Sequence, residues 1–169
     1  GTMLSCKNEN DLSVAISDSV LIESFKYSPQ DKPLISVHRG GKGIKNYPEN
    51  CLETLKYINS NIYGIYEVDV AQTKDGKLVL MHDNSLERTT TGTDRLTKYT
   101  FSELQEFNLV DDFGNETQYK IPLFKDVLNW ATSNNAVLTI DIKRSGSVEK
   151  VIELIRETEA EDISIIITY

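Results

Sequence analysis

The chain has only two histidines, and each closes an apolar run. His38 follows "PLISV" and precedes Arg39-Gly40-Gly41. His82 follows "KLVLM" and precedes Asp83. Two more polar pairs sit in apolar runs: Glu67 and Asp69 in "YGIYEVDV", and Asp141 and Lys143 in "LTIDIK". Histidine titrates near neutral pH, so two of them suit one acid and one base. Arg39 and Lys143 carry the charge that a phosphate attracts. Glu67 and Asp69, two apart on a strand, point to one side. They repel each other unless that side is solvated or something positive lies between them.

Each piece alone has an ordinary structural reading: a hydrogen-bonded histidine, a solvated strand face, a charged alternation. The coincidence favours chemistry. All these groups end apolar strands, where a buried charge is costly unless it is paired or bound to a metal. Three carboxylates, Glu67, Asp69 and Asp141, make a site for a hard cation, Mg²⁺ or Ca²⁺, both of which prefer oxygen ligands. No cysteine lies near them, and two histidines are a poor zinc set.

The elements that must position these residues can be read from periodicity. Short apolar strands are expected at Leu34 to Val37, through "IYGIYEVDVAQT", at "KLVLMHD", at "AVLTIDIK" and at "ISIIITY". Helices are expected at "PENCLETLKYINSN", starting from Pro48, at "FSELQEF", at "IPLFKDVLNWATSN" and at "SVEKVIELIRETEAED". In the last, Val148, Val151, Ile152 and Ile155 form one stripe. Residues 84–100 are Thr-rich and polar, and they read as a long loop with a job. A weaker helical pattern runs from Ser13 to Phe25. Near-continuous apolar strands alternating with amphipathic helices argue an α/β fold with a parallel sheet, either doubly wound or a (β/α)₈ barrel. In either, strand C-termini open on one rim, where active sites of such folds are built.

The totals exclude some partners. With 169 residues and a net charge of −8, the chain is one domain with no basic face for nucleic acid. No apolar run reaches the length of a membrane span, and no complete signal peptide is visible. Two cysteines, Cys6 and Cys51, give no disulfide framework. Leu4-Ser5-Cys6 followed by the polar "KNENDLS" matches the end of a bacterial lipoprotein signal. It sets the expectation of an exported protein, periplasmic or at the cell surface, lipid-anchored through Cys6. Residues 1–32 read as an N-terminal extension and 33–169 as the catalytic-type domain.

"SVHRGGKGIKNYPEN", "YEVDVAQTKDGKLVLMHDNSLERTTTGT", "IPLFKDVLNW" and "LTIDIK" together resemble the glycerophosphodiester phosphodiesterase family, in order and in spacing. The resemblance runs from about Ser36 to Lys143. It implies a (β/α)₈ TIM barrel that hydrolyses glycerophosphodiesters to sn-glycerol 3-phosphate and an alcohol, using a divalent cation, Ca²⁺ or Mg²⁺. It further implies His38 and His82 as the acid/base pair, and Arg39 and Lys143 as phosphate ligands. Glu49 would lie on the substrate side at the rim, orienting the site, and Glu67, Asp69 and Asp141 would be metal ligands. Two positions depart from the family: Asp141 stands where Glu is usual, and Cys51 where Thr is usual. The barrel is expected to be truncated after about the fifth strand. A non-catalytic module binding glycerophospho-groups and a phospholipase with a larger lipid substrate are the alternatives.

Overall fold

The computed structural model describes residues 34–167. The expected helix at Ser13–Phe25 and the Cys6 anchor lie outside the described residues. All five expected strands form: β1 (Leu34–Val37), β2 (Tyr63–Gln72), β3 (Leu78–Leu80), β4 (Val137–Ile142) and β5 (Ser164–Ile167). The sheet runs β1-β2-β4-β5, and all three pairings on that path are parallel. Four helices connect them: α1 (Leu52–Asn59), α2 (Phe101–Leu104), α3 (Phe124–Ser133) and α4 (Val148–Glu157).

The period-2 alternation of β2 and β4 decides which face does what. Tyr66, Val68 and Val70 are buried, with Leu138 and Ile140 beside them. They pack against Leu55 and Ile58 of α1, Phe124, Val127 and Leu128 of α3, and Val151 and Ile155 of α4. Each such side chain contributes about 1.5–3 kcal/mol by leaving water. The opposite face carries Glu67, Asp69, Thr139 and Asp141. Glu67 is level with Thr139, and Asp69 with Asp141.

β3 does not join the parallel path. It pairs antiparallel with the far end of β2, Val70 opposite Leu80 and Gln72 opposite Leu78. The chain climbs past the rim, turns at residues 73–77, and comes back. The turn closes by Thr73 N–H donating to Lys77 O at 2.9 Å, with Gly76 at φ +80°. His82 therefore reaches the rim by returning from above it, and not as the end of a parallel strand. Beside this hairpin, Leu86, Leu96, Leu104, Leu109 and Ile121 bury a second small core with Val79 and Met81. It gives the Thr-rich segment 84–100 a fixed shape.

Two helix readings shift. α1 begins at Leu52, four residues after Pro48. Asn50 between them has φ +49° and cannot be helical. In α4 the stripe is narrower than expected: Val151 and Ile155 are buried, but Val148, in the first turn, is exposed. Ser147 caps α4 by accepting from Lys150 N–H, and a capping box from Thr100 to Glu103 starts α2. Among the described residues no helix is long and apolar enough to cross a membrane.

Candidate active site

β1 ends in a tight turn, His38 to Gly40, with Arg39 in the left-handed region at φ +48°. Asn50 N–H donates to Arg39 O at 2.7 Å and pins it there. Gly41, at φ +118°, lies against α1. A Cβ there would stand 2.5 Å from Ile58 Cδ1 and 2.6 Å from Thr54 Cγ2. The turn can thus form only with glycine seated against the helix. It projects His38 outward, 60% exposed, with Nε2 3.5 Å from Glu67 Oε1. That separation is too long for a hydrogen bond. Arg39 is mostly buried, its Nε has no hydrogen-bond partner, and NH1 lies 3.6 Å from Glu49 Oε2.

Asp69 is 1% exposed. Asn50 holds it twice, Nδ2 donating to Oδ2 at 2.9 Å and Oδ1 accepting from Asp69 N–H at 3.1 Å. Lys143 Nζ stands 3.0 Å from Asp69 Oδ1 as an ion pair, without the alignment of a hydrogen bond. The same ammonium donates to Asp141 Oδ2 at 2.9 Å. Burial opposes the Lys143 charge, but its bonds to Asp141 and Asp69 outweigh that and raise its pKa. Lys143 is aimed by its own N–H, which donates to Val70 O at 2.8 Å.

His82 is organised by an ionic chain. Its Nδ1 lies 2.8 Å from Asp83 Oδ1. Arg88 forks onto Asp83 through Nε (2.7 Å) and NH2 (3.0 Å). It also forks onto Glu49, through NH2 to Oε1 (2.8 Å) and NH1 to Oε2 (3.1 Å). Arg88, with help from His82, drives the Asp83 pKa well below the usual carboxylate range. Glu49, 2% exposed, would be pushed up by burial, but Arg88 and Arg39 reverse this and lower it. An ionised Asp83 at Nδ1 fixes the His82 tautomer with the proton on Nδ1, leaving Nε2 free to accept one.

The structure thus brings His38, Arg39, Glu67, Asp69, Asp141 and Lys143 to one rim. Glu49 lies beneath them with both oxygens turned to guanidinium groups. Three members were not singled out from sequence: Asn50, Asp83 and Arg88. Each lies inside a motif that was visible, "PEN", "HD" and "ERTTTGT", but its partner is far away in the chain. Arg88 reaches Glu49 across 39 positions.

Among the described residues, no three His, Cys, Asp or Glu side chains converge closely enough to hold a metal ion. Glu67, Asp69 and Asp141 share a face, but the Lys143 ammonium lies between Asp69 and Asp141. The donor chemistry still suits a hard cation. All three offer carboxylate oxygens, and buried Asp69 Oδ1 has no aligned hydrogen bond.

The model of the glycerophosphoryl diester phosphodiesterase family matches residues 38–167. A glycerophosphodiester phosphodiesterase of Bacillus altitudinis is 38% identical over 136 residues, 76% of this chain and 54% of the relative. Glycerophosphodiester phosphodiesterase 1 of Homo sapiens is 33% identical over 135 residues, 76% of this chain and 39% of the relative. The crystal structure of a glycerophosphoryl diester phosphodiesterase from Parabacteroides distasonis superposes with a TM-score of 0.77 at 41% identity, covering 89% of this chain and 52% of that one. The chain spans about half the length of the curated relatives it matches. The neighbouring structures are TIM barrels, and the four parallel strands with their helices form part of one.

Proposed function

The chain belongs to the glycerophosphoryl diester phosphodiesterase family, and on that premise we propose that the protein hydrolyses glycerophosphodiesters to sn-glycerol 3-phosphate and an alcohol by acid/base catalysis through His38 and His82. The observation that carries this reading is the returning hairpin. Met81 N–H donates to Asp69 O at 3.0 Å, which brings His82 to the level of the acidic pair.

The residues divide the work as follows. Arg39, held by Glu49 and by its left-handed backbone, keeps its Nε buried and the side chain as a whole 16% exposed. It receives a phosphate oxygen, and Lys143 supplies the second positive charge. His82 Nε2, opposite the nitrogen held by Asp83, exchanges a proton with the attacking or leaving oxygen. His38, near Glu67 but not bonded to it, serves the other oxygen of the in-line displacement. The attacker is water or the glycerol 2-hydroxyl. When a divalent cation, Ca²⁺ or Mg²⁺, is bound, Glu67, Asp69 and Asp141 would hold it, and it would neutralise phosphate oxygens as charge builds.

The test is release of glycerol 3-phosphate from glycerophosphocholine and glycerophosphoethanolamine by the protein, with Ca²⁺, with Mg²⁺ and with EDTA. Turnover abolished by EDTA is expected. No turnover by a folded, metal-supplied protein would overturn the reading.

A further inference from the structure

Next to the acidic pair, a second depression of about 470 Å³ opens between the segment after β3 and the segment after β4. It shares Lys143 with the site and Asp83 with the ionic chain that holds His82. Its walls carry three cations, Arg95, Lys143 and Arg144, against one acid, Asp83. This balance is unusual in a chain with 26 acidic and 18 basic residues. The single acid is spent, since both its oxygens are taken by Arg88 and one by His82, and Lys143 is likewise held by Asp69 and Asp141, so the balance rests on Arg95 and Arg144. Neither the Arg95 nor the Arg144 guanidinium makes a hydrogen bond or ion pair among the described residues. Ser145 adds a hydroxyl: its Oγ accepts from Gln72 N–H, which leaves the O–H free to donate outward.

This surface repels a quaternary ammonium and attracts an anion. The volume is in the range of small-ligand sites, roomy enough for a polar head beyond the scissile phosphate. The glycerol end of the substrate carries no charge, so a second anion must belong to the leaving alcohol. We propose that this depression is a head-group subsite that selects glycerophosphodiesters whose alcohol carries a second phosphate. The proposal rests on the phosphodiesterase reading above and names the substrate class for it. Arg95 and Arg144 are its specificity residues, contacting the second phosphate while the histidines act on the first.

The experiment compares two substrates that differ only in that group: glycerophosphoinositol and glycerophosphoinositol 4-phosphate. We read the ratio of their kcat/KM values for the wild-type protein and for Arg95→Gln, Arg144→Gln and the double variant. Exposed charge pairs are worth about 1 kcal/mol or less, so each substitution should lower the ratio by up to about fivefold. Arg144→Glu should lower it further. The wild-type ratio should exceed one, and it should fall as salt screens the contact. Both arginines are exposed and unpaired, so the variants should fold, which circular dichroism checks. A ratio at or below one in the wild type, or one that the substitutions leave unchanged, overturns the subsite and leaves the phosphodiesterase reading standing. No turnover of either substrate by a protein that hydrolyses glycerophosphocholine or glycerophosphoethanolamine also overturns the subsite alone, and no turnover of any of the four overturns both readings.

Discussion

Replacing Arg88 by methionine tests whether the ionic chain beneath the rim is built as described. The side chain keeps most of its volume but loses four charged hydrogen bonds, two to Glu49 and two to Asp83. Glu49 suffers most. At 2% exposure it cannot recruit water, and its remaining ion-pair partner is Arg39 NH1 at 3.6 Å, with weaker help from Lys42. Removing one partner of a buried ion pair costs about 3–5 kcal/mol. The Asp83 side adds little, because Asp83 is 27% exposed where Glu49 is 2%, and water replaces the lost bonds. A loss of about 3 kcal/mol at pH 7 follows. The pH dependence carries the sign. In the native protein Glu49 has a lowered pKa, so its ionisation stabilises above the ordinary carboxylate range, and that gain is lost on acidification. Without Arg88 only Arg39 and Lys42 offset burial, the Glu49 pKa moves up, and protonation relieves the stranded charge. The difference between wild type and variant should therefore shrink as pH falls from 7 toward 4. Urea unfolding followed by the fluorescence of Trp130, the one tryptophan, measures it. A double-mutant cycle with Glu49→Gln should return a coupling above about 1.5 kcal/mol. A loss below about 1 kcal/mol that does not change with pH would refute the reasoning.

Four further outcomes follow. His38→Ala and His82→Ala should each lower turnover by about two orders of magnitude or more, as expected for acid/base groups; near-normal rates in either would remove that residue from the mechanism. Asp141→Asn weakens a donor and leaves Lys143 paired with Asp69 alone, so half-maximal activity should need more added metal; an unchanged metal titration would show that Asp141 is not a ligand. Cys51 is fully buried, and burial raises its thiol pKa to about 12, so it should resist alkylation in the folded protein. It sits at the α1 N-cap without a side-chain cap, and Cys51→Thr should add about 0.5–1 kcal/mol in thermal unfolding. Asp111 accepts from Asn46 N–H, Phe113 N–H and both nitrogens of Asn115; against burial, these hold its pKa at about 2. Its contribution is complete above the ordinary aspartate range and fades as pH falls toward 2. Asp111→Asn should flatten that part of the acid-unfolding curve, and an unchanged curve would discount the bonds.

Much of this protein is written locally. The alternation of β2 sends Tyr66, Val68 and Val70 one way and Glu67 and Asp69 the other, and a period of two survives any tertiary arrangement. The apolar spacing of α3 and most of α4 is equally local, as are the residue types at the rim. The direction of β3 is a miss: the sequence reading sets it among the parallel strands, although the five residues between Gln72 and Leu78 are too few for a parallel crossover. Helix boundaries were also less legible. The late start of α1 depends on Asn50 taking a left-handed turn to reach Asp69, 19 positions on.

The partners of the charged groups were decided only by the fold. Nothing near Lys143 in sequence says that Asp69 will share its ammonium with Asp141, because that contact depends on β2 and β4 lying side by side in one register. Nothing near Arg88 says that it will join Glu49 to Asp83, because its place is set by the small core under the Thr-rich segment. Side-chain periodicity follows from the backbone of one strand or helix and can be read along the chain. Charge pairing depends on distances between elements, and those are fixed only when the apolar faces have packed.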